Sequence, residues 1–333
     1  MPQTNNKIRI QPELLLTRCL ATAFVALPML GQAMTFSVSG DQLLMSGPVV
    51  GEDYAQVKNA FTANPSIKTV ILRKSFGGDA WTGYRVGEYF REKGVTTVVS
   101  GWCVSSCSRM FLGGVERRFS DDFSPELTYV GFHGHYTGKG ALDRTEVIRH
   151  GLKNWTLKHA GPNLPQELVE SWINFPRNTQ SVNFYSTTVA SKFGSAIFEC
   201  PEQLVYFDQC KAIKGNAKEF GIVTNEQPIA SFDQNELRKA EQNRAGAFPP
   251  SGHADLLDRT RVPLDLPAGL QNYLRFVQSP LPRAFAVAKS RKHWAWNAGG
   301  EEETTSAALR RCQERAGQEC TLYAVDNWVV YKP

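Results

Sequence analysis

Residues 70–114 read VILRKSFGGDAWTGYRVGEYFREKGVTTVVSGWCVSSCSRMFLGG, and their alternation decides the fold class. The run SIKTVILRKS (66–75) is rich in β-branched residues, ends in the loop FGGD and reads as a strand. AWTGYRVGEYFREKG (80–94) has helical spacing, with Tyr84, Val86, Tyr89 and Phe90 available to a core and Gly94 as its stop. VTTVVSG is the next strand and SSCSRMFLGG the next helix. Working outward, MTFSVSGDQLLMSGPVV reads as strand, turn, strand, with Gly40 and Asp41 at the turn. EDYAQVKNAFTANP puts Tyr54, Val57, Ala60 and Phe61 on one helical face and stops at Pro65, and LTYVGFH is a further strand. Strand and helix in quick alternation predict an α/β fold of βαβ units on a largely parallel sheet.

The remainder is less regular. From Ala141 to Phe175 the pattern is helical and amphipathic, and AKEFGIVTN (217–225) reads as a helix end and a short strand. The polar stretch 229–280, with Pro249 and Pro250, is expected to be a linker. Residues 281–333 read as a small α+β module: a strand pair in PRAFAVAKSRKHWAWNAGG, a helix in EEETTSAALRRCQERAG and a strand pair in CTLYAVDNWVVYK. The expected organisation is therefore 1–33, 34–228, 229–280 and 281–333.

A 333-residue chain with 42% hydrophobic and 21% charged residues has the composition of an ordinary globular protein. Its net charge of +5 is mild, and no basic stripe interleaves with aromatics, so nucleic acid is not an expected partner. Residues 1–33 read as an export signal. Lys7, Arg9 and Arg18 precede the apolar run CLATAFVALPMLG, and Gly31 and Ala33 favour cleavage before Met34. The competing reading is an uncleaved anchor, the one expected membrane contact. Beyond it lie six cysteines in three close pairs: Cys103 with Cys107, Cys200 with Cys210, and Cys312 with Cys320. An even count in an exported chain favours disulfides, with local pairing the simplest guess although spacing does not fix connectivity. Cys103 and Cys107 are expected to bridge one helical turn, because residues four apart on a helix lie about 6 Å apart. Zinc-finger spacing is absent, so no metal and no other cofactor is expected.

The path VILRKSFGGDAWTG…VTTVVSGWCVSSCSRMFLGGVERRF…LTYVGFHGHY resembles the Clp-protease proteolytic-subunit branch of the ClpP/crotonase superfamily, and within it exported, cysteine-containing bacterial proteins. The resemblance covers about residues 36–225. It implies a ClpP/crotonase-like βαβ superhelical core. It makes Gly77 and Gly78 the paired glycines, Gly101 and Ser105 the G-x-x-x-S turn, Gly114 the later glycine and His133 the base. Counting from either Gly101 or Gly114 selects Ser105 over Ser106.

The chemistry of the residues supports the same assignment. A serine hydroxyl needs a positioned base to become a nucleophile, and a strand-to-helix turn places unpaired helix amides beside it. The amides of Gly78 and Ser106 would form the oxyanion hole. The competing reading of the serines is helix capping. His135, two residues beyond His133, is the alternative base. For the third member, Asp208 is the candidate, with Asn178 or Asn183 in a second frame. ERR at 116–118 reads as a solvated turn. The resulting expectation is a periplasmic serine hydrolase acting on peptides or proteins through an acyl-enzyme, with a homo-oligomer allowed. The alternatives are a catalytically idle ClpP-fold binding or assembly protein, and an esterase.

Overall fold

The computed structural model describes residues 33–203, 206–279, 281–299 and 303–333. The expected export signal falls almost wholly outside them. The chain opens with the hairpin β1 (Thr35–Ser39) and β2 (Gln42–Ser46), followed by α1 (Asp53–Ala63) and β3 (Thr69–Ser75). Next come α2 (Ala80–Lys93), β4 (Thr96–Val104), α3 (Ser106–Gly113), β5 (Glu116–Phe119) and β6 (Tyr129–Phe132). The helical faces follow the periodicity: Val57 and Phe61 of α1 and Tyr84, Val86 and Phe90 of α2 are buried. Gly94 ends α2 at φ +66°, a left-handed conformation that glycine adopts without a Cβ clash.

Strands β2, β3, β4 and β6 run parallel, as the βαβ reading requires. Long β4 serves two partners, pairing β5 through its first half and β6 through its second. Beyond β6 the sheet turns antiparallel through β7 (Ser181–Tyr185), β8 (Ile197–Cys200) and β9 (Lys211–Ile213). The sheet is thus mixed rather than largely parallel. The helices α4 (Arg144–Arg149), α5 (Leu152–Ala160) and α6 (Gln166–Ile173) precede β7, and α7 (Thr188–Phe193) joins it to β8 by a short antiparallel connection.

Two expectations change on this side of the molecule. Residues 116–118 form strand β5 rather than a solvated turn, and Arg117 is only 3% exposed. Its guanidinium donates to the carbonyls of Gly114, Ile222 and Gly221, and at 3.4 Å to that of Ala160. Those bonds hold residues 217–225 as irregular chain, with no helix or strand of their own. Burial, then the nearby Arg91, lowers the Arg117 pKa to about 10.

Residues 229–280, expected as a linker, carry α8 (Gln234–Ala247) and α9 (Pro267–Gln278). They are anchored at their start by Arg73 of β3, which bonds Asp122, Asp233 and Ser231. The C-terminal sheet follows as read from the sequence: β10 (Arg283–Ala288), β11 (Trp294–Ala298), α10 (Thr304–Ala316), β12 (Cys320–Val325) and β13 (Trp328–Val329), all antiparallel. Side chains of β10 alternate in direction. Ala284, Ala286 and Ala288 pack with Ala308 and Cys312 of α10, while Phe285 and Val287 pack with Tyr273 and Phe276 of α9. The same α9 cluster includes Phe123, Leu127 and Tyr206, so C-terminal and N-terminal parts share one core. Hydrophobic burial across the supposed linker is what orders it. Among the described residues no helix is long and apolar enough to cross a membrane.

Candidate active site

Ser105 occupies the turn between β4 and α3 at φ +60°, a conformation costing an L-residue about 1–3 kcal/mol unless its surroundings enforce it. They do. The Ser105 amide donates to the Gly131 carbonyl of β6 (3.1 Å), and its carbonyl accepts from the Ser108 amide (3.0 Å) and hydroxyl (2.6 Å). Its own hydroxyl makes no capping bond, so the side chain is not a helix cap.

The loop 75–79 lies directly over this turn. β3 is irregular at Lys74, a positive-φ residue, and the chain then runs through Gly77 and Gly78. A Cβ on Gly77 would sit 2.7 Å from that of Ser105, and one on Gly78 would sit 2.1 Å from the Val49 carbonyl. Val49 donates to the Gly77 carbonyl and accepts from the Asp79 amide. In this parallel bridge the Gly78 amide therefore points away from Val49. The Ser106 amide, first of α3, has no acceptor among the described residues. The two expected oxyanion donors are thus a free helix-start amide and a glycine amide on the overlying loop. Behind them, Gly83 and Gly87 of α2 let α3 approach backbone to backbone: a Cβ at either would meet a Ser106 or Arg109 carbonyl at 2.6 Å.

His133 follows β6 and lines one cleft with Ser105, Gly77 and Gly78, of about 470 Å³. It is 5% exposed, stacks on Tyr136 (5.0 Å, 25°), and neither ring nitrogen has a hydrogen-bond partner among the described residues. Burial, reinforced by Arg109, pushes its pKa down to about 3. His135 is pushed down to about 2 by burial, Arg109, His150 and His133, and its Nε2 is 2.9 Å from the Tyr84 hydroxyl.

The third member resolves differently. Asp208 is half exposed, pairs with Arg259 at 2.6 Å and lines a separate cavity with Lys192 and Asp255, so it is not brought to Ser105. Asn178 lines the Ser105 cleft, whereas Asn183 is buried in β7 and accepts from Ser181. All three local cysteine pairs are bonded. Cys103, however, ends in β4 and Cys107 in α3. That bridge, with Cα atoms 5.2 Å apart, therefore straddles the Ser105 turn rather than one helical turn. No group of three or more His, Cys, Asp or Glu among the described residues is placed to hold a metal.

Two residues, one lining the cleft and one buried behind it, were not singled out from the sequence. His150, held by Glu146 at 2.8 Å, lies against Trp81, Tyr84 and His135. Arg109 is buried over the Tyr84 ring with Nε and Nη1 lacking partners among the described residues. Its place four residues after Ser105, on one helix face, was a usable signal. His150 carried only its i,i+4 spacing from Glu146, since its ring partners Trp81, Tyr84 and His135 come from α2 and the β6 end.

No protein-family model and no curated protein matches the chain. Solved structures similar to it include ClpP1 from Listeria monocytogenes, at 18% identity over 58% of this chain and 94% of that chain, with a TM-score of 0.37. They also include an enoyl-CoA hydratase from Shewanella pealeana, at 10% identity over 66% of this chain and 74% of that chain, with a TM-score of 0.33.

Proposed function

We propose that this protein is an exported serine hydrolase, acting first on peptides, with Ser105 as nucleophile. His133 would take the hydroxyl proton as Ser105 attacks the carbonyl carbon. The amides of Gly78 and Ser106 would hold the developing oxyanion. The tetrahedral oxyanion would collapse with cleavage of the C–N bond, the departing amine taking the proton from His133. Water giving its proton to His133 would then hydrolyse the acyl-serine to the acid and free Ser105. The observation that carries the reading is the enforced positive-φ turn presenting an uncapped Ser105 in one cleft with His133. Asn178 is the cleft amide available to orient the base, in place of Asp208. Three disulfides suit an oxidising compartment, here taken as the periplasm.

A second reading, a binding or assembly protein that keeps the fold without the chemistry, is favoured by one fact. Among the described residues no carboxylate bonds either ring nitrogen of His133, which leaves an imidazole near pKa 3 as a weak base. A fluorophosphonate probe with adduct mapping separates the two. Labelling at Ser105 that disappears in His133→Ala supports the hydrolase, and a protein that stays unlabelled while folded supports the second reading.

A further inference from the structure

Phe76 and Gln203 border two cavities at once: the Ser105 cleft and a neighbouring one of about 240 Å³. The far wall of the second cavity is α9, which contributes Gln271, Leu274, Arg275 and Gln278. We propose that α9 completes the substrate groove, with Gln271, Arg275 and Gln278 binding the main chain of an extended polypeptide that leaves Ser105 in that direction. This rests on the reading of Ser105 as the reacting residue.

Three observations carry it. First, the wall is fixed relative to the cleft. Tyr273, Leu274, Phe276 and Val277 bury the inner face of α9 in the cluster that holds Phe123, Leu127 and Tyr206. The Tyr206 hydroxyl also donates to the Leu270 carbonyl at 3.0 Å.

Second, the lining is chemically suited to peptide groups. Glutamine carboxamides both donate and accept, matching the alternating N–H and C=O of an extended chain. Arg275 shares the lining with Glu202, so charges of both signs are present and no ionic ligand is singled out. Third, the other end of the cleft differs. Trp81 and His150 lead there to a cavity of about 400 Å³ whose aromatic residues Tyr54, Tyr84, Tyr89 and Trp155 are mixed with Arg85, Glu88, Glu92 and Arg149. The groove therefore has direction. A small ester fits beside Ser105 alone, and only a longer chain reaches α9.

The test uses the Ser105→Ala protein and capped alanine–serine peptides of about three and about eight residues, roughly 10 and 27 Å when extended. The longer peptides are expected to bind about ten-fold more tightly, and that increment is expected to vanish in the added triple variant Gln271→Ala, Arg275→Ala, Gln278→Ala. Gln271 and Arg275 are exposed and Gln278 half-buried, and Gln203→Ala at the junction provides an independent variant with the same expected loss. An increment that survives both variants, or no length dependence in the parent, overturns the role of α9. Fluorophosphonate labelling is read separately on the Ser105 protein. Labelling without length dependence removes α9 and keeps the nucleophile; length-dependent binding without labelling keeps the groove and removes the hydrolase.

Discussion

Gly77 and Ser105 are packed so closely that a Cβ on the glycine would lie 2.7 Å from the Ser105 Cβ and 2.8 Å from the Ser106 amide nitrogen. The loop after β3 therefore closes over the β4–α3 turn only because position 77 has no side chain, and its φ of +84° adds a second reason. Gly77→Ala is expected to cost about 3 kcal/mol or more, from overpacking plus left-handed strain, and to abolish probe labelling of Ser105. Gly94→Ala is the control. Its φ is +66° but nothing lies within 4 Å, so about 1–2 kcal/mol from strain alone is expected, with labelling retained. Denaturant midpoints and labelling rates check both.

The two buried histidines make stability depend on pH. In the folded protein His133 and His135 have pKa values of about 3 and about 2, whereas in the unfolded chain both titrate near 6.5. As pH falls below about 6.5 the unfolded chain takes up protons that the folded protein refuses, so stability falls. From about pH 7 to about pH 5 the loss is about 2 kcal/mol per histidine. The double variant His133→Asn, His135→Gln should show a shallower acid slope in urea-derived stability. A slope equal to that of the parent protein would show that these residues are not buried neutral.

Arg117 gathers carbonyls from separate segments with one planar fork, a task lysine cannot reproduce. Arg117→Ala leaves those buried acceptors unpaired and is expected to destabilise by about 3–5 kcal/mol, with Arg117→Lys recovering little. Hydrogen exchange should show the loss first in residues 217–225.

The Cys103–Cys107 bridge joins strand to helix across the Ser105 turn. Removing it as Cys103→Ala, Cys107→Ala should cost about 2 kcal/mol by loop-closure entropy. Labelling of Ser105 should slow as well, because the turn loses its clamp. Unchanged labelling kinetics in a folded variant would show that the bridge serves stability alone.

Much of the fold was legible because it is written locally. Helical spacing in residues 80–94, β-branched runs before and after it, and Gly94 as stop all act within a few residues, and the structure follows them. The glycine frame around Ser105 and the pairing of near cysteines are equally local. The antiparallel far half of the sheet was not legible, since strand direction depends on the route of the intervening chain rather than on the strand itself.

The cysteine pairing that the amino-acid sequence only suggested was settled by the structure. What the sequence by itself determined was the alternation of elements and the strand-to-helix turn that carries Ser105. The tertiary structure alone decided which distant residues meet there. It placed Asp208 beside Arg259, put Arg109 and His150 around His133 and His135, buried Arg117 in β5, and drew α9 out of an apparent linker into the wall of a cavity next to the cleft. The physical reason is range. Periodicity and turn chemistry record a residue's relation to its chain neighbours, whereas burial and ion pairing depend on surfaces that exist only once the chain has closed on itself.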